Sequence, residues 1–166
     1  MDTLDTLKTR RSIRAYQDKA IPKDALKEII DVARFSPTAR NVQPWEFIVI
    51  TDSRLLHKIG ALAENARFMA YAKACIAVFC SNTKYYLEDG CAATVNILHA
   101  AAALGIGSCW VAGDKKPYCS EVAALLSVPQ ELRLVSLVAL GYPTDQSDFK
   151  LGFKRSLRRL IHWEKF

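Results

Sequence analysis

At 166 residues, with 51% hydrophobic and 24% charged side chains, the chain matches one globular domain spanning 1–166 with a sizeable core, which excludes general disorder. No run of eighteen or more apolar residues occurs, and the opening MDTLDTLKTRR has no apolar signal region; neither membrane span nor leader is expected, and the cytoplasm is the default location. The net charge of +6 is uneven: residues 150–166 carry six basic side chains against Glu164 alone, net +5, so 145–166 reads as a basic C-terminal arm.

In chain order, a short opening helix is expected to run to about Lys8. The basic cluster KTRRSIRAY follows, at residues 8–16. KDALKEIIDVARF spaces Leu26, Ile29, Ile30 and Ala33 for one helical face behind Pro22, and SPT stops it. EFIVIT reads as a strand, then SRLLHKIGALA as a helix capped by Ser53. ACIAVFCS reads as a buried strand. The longest helix covers about residues 87–104; it is nearly apolar all round, ends at Gly105, and must be buried under a sheet or against a second subunit. SCWVAG and LRLVSLVALGY are the last strands, flanking a short helix near SEVAALLS. The interleaving predicts an α+β or mixed α/β domain with about four or five strands.

The five cysteines include no C-x-x-C pair and no histidine at ligand spacing, so they read as reduced core thiols, and no metal site is expected. His57, His99 and His162 lie far apart, without a local acid or nucleophile pattern. Dinucleotide and triphosphate glycine loops are missing too. Two stretches carry chemistry instead. In RRSIR, guanidinium forks and the Ser12 hydroxyl suit a phosphate, although a solvated charged helix end would look the same. In SPTARNVQPWEF, two prolines bracket Thr38, Asn41 and Gln43, donors and acceptors suited to the imide edge of a flat heterocycle. Without a nucleic-acid reading module, basic clusters near both termini suit a small anion held from two sides, and no nucleic-acid partner is expected.

These stretches, with LEDGCAATVNILHAAAALGIGSCWVAG, LVALGYP and the closing FKRSL and LIHWEKF, resemble the FMN-dependent nitroreductase family nearly end to end. The resemblance implies a three-layer α-β-α sandwich around a mixed, mostly antiparallel sheet, and a homodimer with FMN across its interface. Arg10, Arg11, Ser12 and Arg14 match the family's opening flavin contacts, with Arg14 at the N1/O2 edge. Pro37, Thr38, Ala39, Asn41 and Gln43 match the loop that reaches the partner subunit's flavin. Asn65 matches an asparagine facing the pyrimidine ring, and Ala112 and Gly113 match the backbone near N5. Lys154 and Arg155 match a basic tail closing over the phosphate.

The implied activity is ping-pong hydride transfer from NADH or NADPH through FMN N5 to a nitro compound, quinone or similar small acceptor. FMN carries the chemistry, and no side chain need act as acid or base. Two positions depart from the family: Phe68 stands where some members carry Lys, and Ala112 where longer members carry Glu. A dehalogenase-like or flavin-fragmenting enzyme of the same superfamily, or a non-catalytic FMN-binding protein, are the alternatives.

Overall fold

A computed structural model describes residues 2–63, 65–144 and 152–166. Residues 145–151 of the expected basic arm lie outside them. The elements are α1 (Thr3–Thr9), α2 (Lys23–Ala33), β1 (Trp45–Ile50), α3 (Ser53–Leu62), β2 (Ala74–Ser81), α4 (Tyr86–Ala103), β3 (Gly107–Ala112), α5 (Cys119–Leu125) and β4 (Leu132–Gly141). Both α3 and α4 begin within a residue of expectation. The cap of α3 lies one residue earlier than Ser53: the Asp52 carboxylate accepts from the Leu55 N–H at 3.0 Å. A carboxylate serves better there because it also meets the positive end of the helix.

The four strands form one sheet in the order β1-β2-β4-β3, antiparallel at every pairing. The only parallel pairing among the described residues is an isolated bridge from Ser12 to Ser108, on the outer edge of β3. β2 is central and apolar along nearly its whole length, which both of its faces use. Ile76, Val78 and Cys80 pack with Leu26 and Ile29 of α2 and Ile97 of α4. Cys75, Ala77 and Phe79 face the opposite way, onto Leu56 and Ile59 of α3 and Val122 of α5. The result is three layers, helix on sheet on helix, with two cores. Each fully buried Ile, Leu or Phe contributes about 1.5–3 kcal/mol to holding them.

Two backbone features set up the site. α4 ends in a Schellman arrangement: Gly105 takes φ +71°, and the N–H groups of Ile106 and Gly105 donate to Ala101 and Ala102 carbonyls at 2.8 and 3.0 Å. In β4 the register slips between Val78 and Phe79 of its neighbour, leaving Val135 as an extra residue, a β-bulge. The freed Val135 carbonyl accepts from Gly113 N–H at 3.1 Å and Asp114 N–H at 3.3 Å, which turns the chain out of β3. A side chain on Gly113 would sit 2.7 Å from that carbonyl, so only glycine fits.

All five cysteines are free; Cys75, Cys80 and Cys109 are buried, and Cys91 and Cys119 partly so. Burial pushes the Cys75 and Cys80 thiols up to about 12, so each is thiolate on the order of one part in ten thousand at pH 8. Iodoacetamide at pH 8 should therefore modify Cys91 and Cys119 first and reach Cys75 and Cys80 only in denaturant. Peptide mapping by mass spectrometry reads this, and native labelling of Cys75 would contradict it.

Candidate active site

The basic cluster begins at a helix end, where Lys8 lies in the last turn of α1 and Arg11 Nη1 donates to the Lys8 and Arg10 carbonyls at 2.9 and 2.6 Å, and then leaves it. α1 stops at Thr9, and the chain then runs extended along the edge of β3, with Ile13 N–H donating to the Ser108 carbonyl at 2.9 Å. Alternation turns Ile13 into the core and leaves Ser12 and Arg14 exposed. The Tyr16 hydroxyl clamps the segment by donating to the Ile13 carbonyl at 2.6 Å. Among the described residues, no carboxylate pairs with Arg10, Arg11 or Arg14. The buried atoms Arg11 Nε and Ser108 Oγ have no partner there either. Three arginines within five residues carry like charges with no carboxylate partner among the described residues, and an anion would relieve their repulsion.

Beside this strand lies a cleft of about 480 Å³, lined by Arg14, Asn65, Phe68, Ala112, Lys116 and Tyr118 together with residues 109–111 of β3. The Arg14 guanidinium carbon stands 5.8 Å from the Phe68 ring centroid, a cation–π approach that holds the side chain over an apolar wall. Burial pushes the Cys109 thiol above its ordinary value, and the nearby Arg14 charge and a hydrogen bond with Ser12 pull part of the way back. Tyr118 closes one side by donating its hydroxyl to the Ala112 carbonyl. The Gly113 N–H is taken by Val135, so of the two backbone positions expected near a ligand, only Ala112 lines this cleft.

The other expected residues lie elsewhere in the single chain. Arg10 and Arg11 line a neighbouring hollow of about 300 Å³ with Gly107 and Ser108. The Pro37–Gln43 loop borders neither cavity. Thr38 Oγ1 donates to Asp89 Oδ2 at 2.9 Å, Ala39 N–H donates to Asp89 Oδ1 at 3.1 Å, and Gln43 N–H donates to Thr38 Oγ1 at 3.2 Å. Gln43 and Asn41 bond each other at 3.0 Å. Pro37, Asn41 and Gln43 are nonetheless exposed. Lys154 and Arg155 are exposed on the tail, with an Arg155 Nη2 donating to the Arg159 carbonyl at 3.1 Å.

Sequence reasoning brought out Arg14, Asn65 and Ala112, which the fold unites, but it missed Asp89, Lys116 and Tyr118. Only Asp89 left a signal: with Glu88 it is one of two acids opening an otherwise alanine-rich, apolar helix.

An antiparallel sheet between two helical layers, with an uncompensated basic strand beside an aromatic-walled cleft, defines a class of α+β protein built to hold a flat ring carrying an anionic arm. The residues present fit FMN, a flat heteroaromatic with a phosphate: Arg and Ser donors for the phosphate, an apolar contact for the ring, and a cation at its edge. The family model for the nitroreductase family matches residues 7–78 and 81–142. The chain belongs to that family. A candidate NADH dehydrogenase/NAD(P)H nitroreductase from Archaeoglobus fulgidus is 36% identical over 173 residues, covering 99% of each chain. The crystal structure of a similarly described protein from Parabacteroides distasonis superposes with a TM-score of 0.91 at 27% identity, over 99% of this chain and 98% of that one. A candidate nitroreductase from Desulfovibrio desulfuricans, solved in complex with FMN, gives a TM-score of 0.87 at 27% identity, over 100% and 98%.

Proposed function

We propose that this chain is an FMN-dependent oxidoreductase that takes electrons from NAD(P)H and passes them to a nitro compound, quinone or similar small acceptor. The observation that carries the reading is the cleft where Arg14, Asn65 and Ala112 meet, beside a basic strand with no carboxylate partner among the described residues. When bound, FMN supplies the electron-transfer chemistry.

The chain's own residues bind and orient it. Arg10, Arg11 and Ser12 take the phosphate end. Arg14 holds a positive charge at the pyrimidine edge, steadied by Phe68, and favours the anionic reduced ring. Asn65 reads the ring's polar edge, and the Ala112 backbone fixes its central part. Val111, on the α3/α5 face of β3, offers the ring an apolar contact.

In the same reading the active unit is a homodimer, in which the Pro37–Gln43 loop and the Lys154–Arg155 tail serve the partner's cleft. What supports this is the tail itself. Phe153 is 93% exposed and Trp163 79% exposed, with Leu157, Leu160 and Ile161 also open to solvent. Burying such side chains against a second copy contributes about 1.5–3 kcal/mol each. Val95 of α4, Leu104 just past it, Phe35 past α2, and Leu4 and Leu7 of α1 are exposed apolar residues available to receive them.

The absorption spectrum of the purified protein, followed by release and identification of the flavin, tests the cofactor. NAD(P)H oxidation with and without menadione or a nitroaromatic tests the activity, and a flavin-loaded protein inert to both donors would be a binding protein instead. Sedimentation at several concentrations should give a dimer that FMN stabilises by mass action. A monomer holding one full equivalent of FMN would overturn the shared site.

A further inference from the structure

Ala112, Lys116, Pro117 and Tyr118 all line the Arg14 cleft, and between the first two the chain makes a tight turn. Lys116 N–H donates to the Gly113 carbonyl at 3.0 Å, and Lys115 sits at φ +62°, a left-handed position that usually takes glycine. A lysine there is strained, so the turn keeps its shape only while its neighbours fix it. Tyr118 donates to the Ala112 carbonyl, and Cys119 Sγ donates to the Gly113 carbonyl at 2.9 Å. A further hold comes from the opposite face of the sheet. Tyr86, the first residue of α4, packs its ring against the α2–α4 core and donates its hydroxyl to Asp114 Oδ1 at 2.6 Å. The Asp114 side chain is only 15% exposed, and its ion pair with Lys115 spans 3.9 Å to an ammonium that is 84% exposed, which adds little. The Tyr86 hydroxyl is thus the partner that fixes this carboxylate. That hydrogen bond, with burial second to it, raises the Tyr86 hydroxyl above its ordinary value, so it remains a donor at neutral pH.

We propose that Tyr86 is a positioning residue of the flavin site: through Asp114 its hydroxyl holds the strained turn at Lys115, and so sets where the Ala112 backbone and the Lys116–Tyr118 wall stand against the ring. This rests on the flavin reading of the cleft. Tyr86 does not line that cleft, so it acts through the turn and not by touching a ligand. The opening of α4 then ties down two segments at once: the Thr38 loop through Asp89, and the turn after β3 through Tyr86. What the Tyr86 bond supplies is placement. Moving a group that faces a reacting ring by about 1 Å can cost on the order of 10²-fold in rate, so a hydroxyl outside the cleft can still govern the rate inside it.

The test compares Tyr86→Phe, Asp114→Ala, Asp114→Asn and the double variant Tyr86→Phe/Asp114→Ala. Phenylalanine keeps the ring in the core and removes only the hydroxyl; should it fold poorly, Asp114→Ala removes the same bond from the turn. In the flavin-free protein, amide hydrogen exchange over residues 112–118 should quicken about ten-fold in Tyr86→Phe, with β2 and β4 exchanging as in the wild type. In the flavin-loaded protein, reduction by NADH or NADPH per bound flavin should slow about ten-fold or more, and the visible flavin spectrum should shift. The double variant should be no slower than Asp114→Ala, because both remove one bond. Asp114→Asn keeps an acceptor oxygen for the hydroxyl and should recover part of the rate. Wild-type exchange, spectrum and rate in flavin-loaded Tyr86→Phe would overturn this inference alone. Faster exchange with spectrum and rate unchanged would overturn it too, since the bond would then support the fold and nothing more. Asp114→Asn as slow as Asp114→Ala would overturn it by moving the effect to the carboxylate's charge. A wild-type protein that binds no FMN would overturn the flavin reading and this inference together.

Discussion

Replacing Asp89 by alanine should lower stability by about 3 kcal/mol, because hydrogen bonds to a charged group contribute roughly 1.5–3 kcal/mol each and this carboxylate accepts two. For a chain of this length that corresponds to a fall in Tm of roughly 6–12 °C. Asp89 is only 5% exposed, so no water replaces it cheaply. Its position on the first turns of α4 lets it hold a loop in which Arg40, Asn41 and Gln43 all have φ between 51° and 56°. Each such left-handed residue costs about 1–2 kcal/mol, and the network through Thr38 offsets that strain. Asp89→Asn, which has one acceptor oxygen instead of two, should lose about half as much. Thermal and urea unfolding read the effect directly. If Asp89→Ala melts with the wild type, the loop is held by something other than this carboxylate. Under the dimeric reading the same variant also loosens FMN, since the loop it frees would serve the partner's cleft.

Arg14→Ala should weaken FMN binding about ten-fold or more while leaving the melting temperature of the flavin-free protein unchanged. Arg14 is exposed, and its neighbours are the Phe68 ring and the Cys109 thiol, so the fold loses little. The flavin would lose a charge-assisted hydrogen bond, about 1.5–3 kcal/mol, and ten-fold corresponds to about 1.4 kcal/mol. The reduced cofactor would also lose a stabilising cation, so its midpoint potential should become more negative. Arg14→Lys keeps the charge and loses the planar fork, and should recover part of both effects. Equal FMN retention and potential in Arg14→Ala would remove this residue from the cofactor site.

The fold was legible because its signals are local. Leu26, Ile29 and Ala33 state the face of α2, and the continuous apolar run of β2 states a strand covered on both sides. The register slip at Val135 left no such mark, because a bulge depends on which residues oppose each other across the sheet. Arg14, Asn65 and Ala112 were legible as pieces of motifs, yet nothing in their spacing said they share a cleft. Thr38 shows the opposite case. Its polar neighbours suggested a ligand reader, but its hydroxyl is used by Asp89, fifty-one positions later. Lys116 and Tyr118 were invisible because a lysine and a tyrosine in a loop look like ordinary surface until the turn after β3 aims them.

The strand order has a consequence during synthesis. β2 can pair with β1 as soon as it leaves the ribosome, but its other edge waits for β4, which ends at Gly141. At about 5–20 residues per second, the sixty residues between Ser81 and Gly141 take about 3–12 s to make. Through that interval the nascent chain presents an open edge with the sequence ACIAVFC, the kind of segment that pairs with its own copies on neighbouring chains. α4 emerges inside the same window and covers one face of β2, which leaves the unpaired edge as the part a ribosome-associated chaperone would have to shield.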